Sequence, residues 1–202
     1  MKYILIITLL IGNLWAGDYE KGLKAYANKN YKEAVKLWRD SANQGDSAAQ
    51  YDLALIYADG EGVKQDYKEA VRLYTLSANQ GQSNAQFNLG LMYAKGQGIK
   101  RDPVKSAYYF NQACVEGNSL GCFNLGFSYR KGYGVQQDDL KAIKFYEKAC
   151  TGGNARGCNN LGFMYENAYG VKQDYSKAKE FYRKACDAGI ENGCKKYMIL
   201  NQ

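Results

Sequence analysis

The feature that most constrains the fold of this chain is an internal repeat with a period of 36 residues. One tyrosine position recurs at Tyr57, Tyr93, Tyr129 and Tyr165, and one glycine position recurs at Gly45, Gly81, Gly117, Gly153 and Gly189. Self-similarity at a period of roughly 20 to 50 residues is typical of arrays in which each repeat is one small structural unit. The chain is therefore expected to fold as a stack of similar units.

Each period contains two helical patterns. Gln86, Leu89 and Tyr93 have the spacing of one helix face in the first half, and Ala70 and Leu73 have it in the second half. An aspartate precedes each second half at Asp66, Asp102, Asp138 and Asp174. Its side chain can accept hydrogen bonds from the free N–H groups at a helix start. The sequence thus predicts an all-α chain, an α/α superhelical solenoid of helix-turn-helix repeats.

The two ends of the chain differ from the repeats. Residues 1–16 combine a short basic start, an apolar run and a small residue at Ala16, which predicts a signal peptide, although a buried N-terminal helix is an alternative. Residues 17–202 are predicted to form one repeat domain of about five hairpins, closed by a cap helix near 191–200. No apolar run is long enough to span a membrane. A secreted or periplasmic location is expected.

Six cysteines form three pairs, each eight residues apart, and the pairs recur with the repeat. They are Cys114 and Cys122, Cys150 and Cys158, and Cys186 and Cys194. Zinc is the alternative explanation, but zinc sites favour shorter spacings and often use histidine, which this chain lacks. With an export signal, three local disulfides are the favoured interpretation and no metal site is expected.

Three segments of the third full repeat resemble a known family. They are Leu125-Gly126-Phe127-Ser128-Tyr129, Gly132-Tyr133-Gly134-Val135 and Asp138-Asp139-Leu140-Lys141-Ala142. Together they resemble the Sel-1-like repeat, a relative of the tetratricopeptide repeat. With the paired cysteines, the chain is similar to the Helicobacter cysteine-rich protein family. That resemblance implies a secreted, penicillin-binding protein with weak β-lactamase activity in some members.

The residues give this enzymatic alternative little support. A Ser-x-x-Lys motif occurs at Ser128 and Lys131 and again at Ser176 and Lys179, but the companion motifs Ser-Asp-Asn and Lys-Thr-Gly are absent from the sequence. A Ser-His-Asp triad is impossible without histidine. The two serine–lysine pairs are weak catalytic candidates, no catalytic residue is assigned, and no cofactor is expected.

A binding surface has better support. Asn88, Asn124 and Asn160 share one position in the first helical pattern, where asparagine is unfavourable unless its amide has a partner. The position resembles the groove asparagine of tetratricopeptide repeats. Phe87, Phe123, Phe127 and Arg130 are predicted to lie around it. The predicted ligands are peptides, protein partners or peptidoglycan fragments. The alternative is that the asparagines tie adjacent repeats together and the aromatic residues are core.

Charge adds little to this prediction. The chain has 27 basic and 20 acidic residues, a net charge of +7. Many lysines lie on the second helical patterns, without the concentrated basic stripe that nucleic-acid binding needs. No nucleic-acid partner is expected, and the protein is expected to be a monomer.

Overall fold

The computed structural model describes residues 17–202, and in this part of the chain every regular element is an α-helix. The helices are α1 (described over 17–27), α2 (Tyr31–Asn43), α3 (Ser47–Asp59), α4 (Tyr67–Asn79), α5 (Ser83–Lys95), α6 (Pro103–Val115), α7 (Ser119–Lys131), α8 (Asp139–Thr151), α9 (Ala155–Glu166), α10 (Tyr175–Asp187) and α11 (Glu191–Ile199). Odd-numbered helices are the first helices of the repeats and even-numbered helices the second. The predicted all-α repeat fold is confirmed. The predicted signal peptide, residues 1–16, lies outside the described residues.

The helices group into two compact units. The described part of the first unit holds α1 to α5 and ends at Arg101, whereas the second unit runs from Asp102 to Gln202 and holds α6 to α11. Within each unit, consecutive helices pack against each other as hairpins. The assignment of residues 17–202 to one domain stays a prediction.

The second helices begin where the aspartates predict. The Asp66 side chain accepts hydrogen bonds from the backbone N–H groups of Lys68 and Glu69, and Asp102 accepts one from Lys105. Pro103 is the first residue of α6, a position where a missing N–H costs nothing. Each second helix therefore starts at a residue fixed by the repeat.

The first and second helices of a repeat pack closely because the first helix has a glycine at the contact. A Cβ atom at Gly162 of α9 would lie 2.7 Å from the ring of Tyr182 of α10, and one at Gly126 of α7 would lie 2.8 Å from the ring of Tyr146 of α8. Both tyrosines are fully buried. Each glycine thus makes room for an aromatic ring that fills the core between the helices.

The loop inside each hairpin packs against the preceding repeat. Gly134 has a φ of +72° and lies so close to the Pro103 carbonyl that no side chain fits there. Gly170 packs in the same way against Asp139 and Leu140. Because glycine alone combines this backbone conformation with this contact, the loop glycines set the register between repeats.

Disulfides link each second helix of the second unit to the first helix that follows it. The bonds are Cys114–Cys122, Cys150–Cys158 and Cys186–Cys194, as predicted. In the first unit glutamine takes the place of the second cysteine. The Gln50 side-chain amide donates to the Ala42 carbonyl at 3.0 Å, and the Gln86 amide donates to the Ala78 carbonyl at 3.3 Å. The turn that a disulfide bond closes in the second unit is thus closed by a hydrogen bond in the first unit.

Candidate functional site

The predicted asparagine position joins two helices at two places in the first unit. The Asn88 amide of α5 donates to the hydroxyl of Tyr74 in α4 at 3.2 Å. At the same position one repeat earlier, Asp52 of α3 accepts a hydrogen bond from the Tyr19 hydroxyl of α1 at 2.8 Å. Burial raises the pKa of Asp52, while this hydrogen bond partly offsets the effect. At both places the polar side chain connects two helices.

Asn124 in the second unit makes a different contact. Its side-chain amide donates to the Leu120 carbonyl of its own helix at 2.9 Å. The preceding second helix, α6, has Phe110 where α4 has Tyr74, so it offers no hydroxyl to bond. Asn124 therefore bonds within its own helix, where the preceding second helix has a phenylalanine in place of Tyr74.

Asn160 lies beside a buried tyrosine. The Tyr146 hydroxyl of α8 is buried and has no hydrogen-bond partner within residues 17–202. Burial raises the pKa of Tyr146, and the nearby Asn160 and Arg130 side chains act in the opposite direction. The sequence-predicted residues Asn160 and Arg130 are thus brought together around one hydroxyl.

Arg130, near the end of α7, is stacked on two aromatic rings. Its guanidinium carbon lies 4.6 Å from the centre of the Phe163 ring and 5.8 Å from that of Tyr169. The two rings stack on each other, with centres 5.5 Å apart and planes 17° apart. Such cation–π contacts hold a long, flexible side chain in one position.

Two more aromatic residues extend this surface. Phe127 of α7 is 36% exposed and Tyr133 of the following loop is 54% exposed, and their rings meet edge to face at 5.9 Å. Tyr169 is 43% exposed. We call the set the aromatic–arginine surface, and its members are Phe127, Arg130, Tyr133, Phe163 and Tyr169. Exposed aromatic residues and arginine are the residue types that dominate binding energy at interfaces.

The other two predicted phenylalanines lie elsewhere. Phe123 contacts the Tyr146 ring at 5.9 Å and packs against the buried cluster that contains Cys114 and Cys122. Phe87 of α5 is half-buried. Phe123 thus belongs to the core of the second unit and does not join the aromatic–arginine surface.

A complete polar cluster lies one repeat beyond Arg130. Glu166 at the end of α9 accepts hydrogen bonds from the Tyr182 hydroxyl at 2.6 Å and from the Lys196 ammonium at 2.8 Å. Burial alone would raise the pKa of Glu166, but these two partners outweigh it and the pKa lies below its ordinary value. The cluster attaches the terminal helix α11 to the unit.

A pocket in the first unit involves Asn88. It has a volume of about 260 Å³, and its lining includes Leu55, Asp59, Tyr74, Asn88 and Lys95. The lining also includes Leu91 and Gln97, which stand at positions where the second unit has aromatic rings. The two units therefore present different chemistry from equivalent repeat positions.

Neither serine–lysine pair is arranged for acyl transfer. The Ser128 hydroxyl is buried and donates to the Asn124 carbonyl at 2.9 Å. Lys179 donates to the Asn201 side chain at 3.1 Å, while Ser176 is exposed. Within residues 17–202 no hydrogen bond joins a serine to the lysine of its own motif, as an activated nucleophile would need.

Metal-binding clusters and membrane-spanning helices are both missing from residues 17–202. In the described part of the chain, no group of three or more histidine, cysteine, aspartate or glutamate residues could hold a metal ion. Among the same residues, no helix has the length and apolar character needed to cross a bilayer. The candidate site is the aromatic–arginine surface, because exposed rings lie there beside a stacked arginine.

Fold and surface together define a helical repeat scaffold of the kind that binds other molecules through side chains on successive repeats. The Sel1 repeat matches five consecutive segments, residues 13–46, 47–82, 83–118, 119–154 and 155–190. The chain belongs to the Sel1 repeat family, whose repeats are protein-interaction modules.

Solved structures agree with this assignment. A protective antigen present in uropathogenic Escherichia coli strains is 36% identical, with a TM-score of 0.88 over 92% of this chain and 41% of the antigen. A Sel1 repeat protein from Oxalobacter formigenes is 28% identical, with a TM-score of 0.83 over 87% of this chain and 72% of that protein. Helicobacter pylori cysteine rich protein B is 29% identical, with a TM-score of 0.53 over 66% of this chain and 96% of that protein.

One curated relative matches a short segment. The exopolysaccharide production negative regulator of Rhizobium leguminosarum bv. viciae is 44% identical over 48 residues, which is 24% of this chain. The chain spans 18% of that regulator and about two fifths of the E. coli antigen. The similarity to these proteins lies in the repeated helical segments.

Several residues of the surface were not singled out from the sequence. Tyr133 and Tyr169 occupy a loop position that holds Glu61 and Gln97 in earlier repeats. Comparing the repeats with one another at this position would have shown the change from polar to aromatic. Tyr146 shares its repeat position with Tyr74 and Tyr182, so the period alone places it on the packed face of its helix.

Proposed function

We propose that this protein is an exported, disulfide-stabilised scaffold that binds peptide segments through its aromatic–arginine surface. The peptides come from partner proteins or from the peptide stems of peptidoglycan. In this function the second unit provides the binding face, and the covalent links between its helices keep that face in one conformation. Preorganisation of this kind improves affinity by lowering the entropy lost on binding.

The observation that carries the proposal is the exposure of three neighbouring aromatic rings beside a stacked arginine. Phe127, Tyr133 and Tyr169 are each at least 36% exposed, although burying them would be favourable. Clustered exposed rings mark interaction sites, and aromatic and arginine side chains are enriched at the centres of interfaces. A bound peptide would cover this apolar area.

The proposed location rests on the cysteines and the N-terminal pattern. Three disulfides fit an oxidising compartment, such as the periplasm or the cell exterior. The predicted signal peptide, residues 1–16, would deliver the chain there. N-terminal sequencing of the protein recovered from a periplasmic or extracellular fraction tests this: a start near residue 17 supports export, whereas a cytoplasmic protein that keeps Met1 contradicts it.

Selection from a library of displayed random peptides tests the binding function. The oxidised protein should enrich peptides, and the Tyr133→Ser/Tyr169→Ser variant should lose them because it removes two exposed rings of the surface. Tyr108→Ser is the matched control, since Tyr108 of α6 is 55% exposed but lies outside the surface. Failure to enrich any peptide, or equal enrichment by the double variant, would contradict the proposal.

Hydrolysis of β-lactams, the alternative function, is not supported by any observation among residues 17–202. Ser128 is buried and bonded within its helix, and Lys179 is bonded to Asn201. We expect no turnover of nitrocefin by the pure protein. Turnover that disappears in Ser128→Ala or Ser176→Ala would establish the enzymatic function instead.

A further inference from the structure

Three positions recur together in the second unit, one near the end of a first helix, one in the following second helix and one in the next first helix. In the C-terminal set these positions hold Glu166, Tyr182 and Lys196, and one repeat earlier they hold Arg130, Tyr146 and Asn160. Because the sets occupy equivalent positions, their chemistry can be compared directly.

In the C-terminal set, each of the three side chains has its partner within the set. The Glu166 carboxylate binds the Tyr182 hydroxyl through one oxygen and the Lys196 ammonium through the other. Negative and positive charge balance, and the buried tyrosine hydroxyl has an acceptor. No external group is needed to satisfy this cluster.

The earlier set lacks a carboxylate. Arg130 brings a positive charge, but Asn160 is neutral, and Arg130 forms no ion pair with any acidic residue of the described chain. The Tyr146 hydroxyl, which is fully buried, has no hydrogen-bond partner among the described residues, unlike that of Tyr182. Glu166 is already bound by two partners. The three positions therefore hold a cation and no anion, and the nearby carboxylate of Asp139, which acts on the Tyr146 hydroxyl from the start of α8, forms no ion pair with Arg130.

The geometry around Arg130 suits an incoming carboxylate. Stacking on Phe163 and Tyr169 holds the guanidinium plane, and its N–H edge matches the two oxygens of a carboxylate. Beside the guanidinium, the exposed rings of Phe127 and Tyr133 offer apolar area to a neighbouring side chain of the same ligand.

We propose that Arg130 binds a carboxylate of the peptide ligand, while an adjacent apolar side chain of that peptide packs against Phe127 and Tyr133. The inference rests on the proposed peptide-binding function and specifies the chemistry of its ligand. This carboxylate pairs with the Arg130 guanidinium, as the Glu166 carboxylate pairs with the Lys196 ammonium in the next repeat. It belongs to an aspartate or glutamate side chain or to the peptide C-terminus.

Peptide selection with three proteins tests the inference. The wild type should enrich peptides with an acidic residue beside an aromatic or aliphatic one, and Arg130→Gln should lose the acidic preference. Arg183→Gln, which removes an exposed arginine of α10, is the control for net charge and should select as the wild type does. Helical circular dichroism of each variant verifies folding.

Synthetic peptides then separate the two sources of carboxylate. An enriched peptide should bind about tenfold more weakly when its acidic residue is changed to the matching amide, because a charge-assisted hydrogen bond is lost. Comparing the affinity of the same peptide with a free and with an amidated C-terminus measures the contribution of the terminal carboxylate. The loss of affinity caused by the amide should be smaller for the Arg130→Gln protein, because that protein lacks the partner of the carboxylate.

A double variant provides the strongest control. Arg130→Glu/Asn160→Lys recreates the Glu166 and Lys196 combination one repeat earlier, so it should fold normally yet lose all acidic preference. No enrichment of peptides by the wild type would contradict the proposed function. Enrichment without acidic preference, or an equal preference in Arg130→Gln, would overturn this inference and leave the peptide-binding function standing.

Discussion

The Glu166 carboxylate and the Lys196 ammonium lie 2.8 Å apart, and this ion pair attaches the last helix, α11, to α9. The Tyr182 hydroxyl shares the same carboxylate from the helix between them. Three consecutive helices are thus joined through one side chain at the end of the repeat array. The cluster thus stabilises the packing of α11 against the two helices before it.

Acid should weaken this attachment. The pKa of Glu166 lies below the ordinary 4.5, so its contribution to stability is full above about pH 4.5 and is lost as the pH falls through the folded-state value. Glu166→Gln should cost about 1 kcal/mol at pH 7 and almost nothing at acid pH. Urea unfolding at both pH values measures the difference. An equal cost at both would contradict the assignment.

Asp52→Asn should have the opposite effect on stability. Burial raises the pKa of Asp52, so the folded state resists its ionisation, and this cost appears as the pH rises above the ordinary value of 3.8. Asparagine keeps an acceptor for the Tyr19 hydroxyl without the charge. The variant should melt at a higher temperature at pH 7 and show little gain at pH 3. A lower melting temperature at pH 7 would refute this expectation.

Replacing asparagines separates a structural role from a binding role. Asn88→Ala removes a hydrogen bond between two helices, whereas Asn124→Ala removes one within its own helix. Because both changes gain the same helix propensity, Asn88→Ala should be less stable by about 1 kcal/mol. Chemical denaturation of both proteins measures this. Equal stabilities would show that the Asn88 contact contributes nothing to the fold.

Removing one disulfide should destabilise only the second unit. The Cys150→Ala/Cys158→Ala variant lacks the bond that closes the loop between these two positions. Its free energy of unfolding should be lower by about 2.5 kcal/mol, because the unfolded chain gains entropy. Hydrogen exchange should speed up within residues 102–202, and the described first unit, which contains no cysteine, serves as the internal control. Equal acceleration in helices α3 to α5 would contradict the prediction.

The sequence predicted the repeat fold because its signals are local and recur. The capping aspartates and the cysteine pairs each act within a few residues, and their four and three copies reveal them without any comparison to other chains. Asp66, Asp102 and Cys114 all lie where the pattern places them.

The site was harder to predict because its contacts cross from one repeat to the next. Asn88 and Asn124 occupy the same repeat position but have different partners, since a hydroxyl is present at Tyr74 and missing at Phe110. The stacking of Arg130 on Phe163 likewise depends on two helices together. Periodicity shows which residues are equivalent, and only the packing shows which of them meet.

Binding of an acidic peptide at the aromatic–arginine surface is tested most directly by an NMR titration of the oxidised protein with a selected peptide. The Arg130 side-chain Nε–H signal and the ring signals of Phe127, Tyr133 and Tyr169 should shift together and saturate at one peptide concentration. Shifts centred instead on the first-unit pocket around Leu55 and Asn88, with Arg130 unchanged, would contradict it.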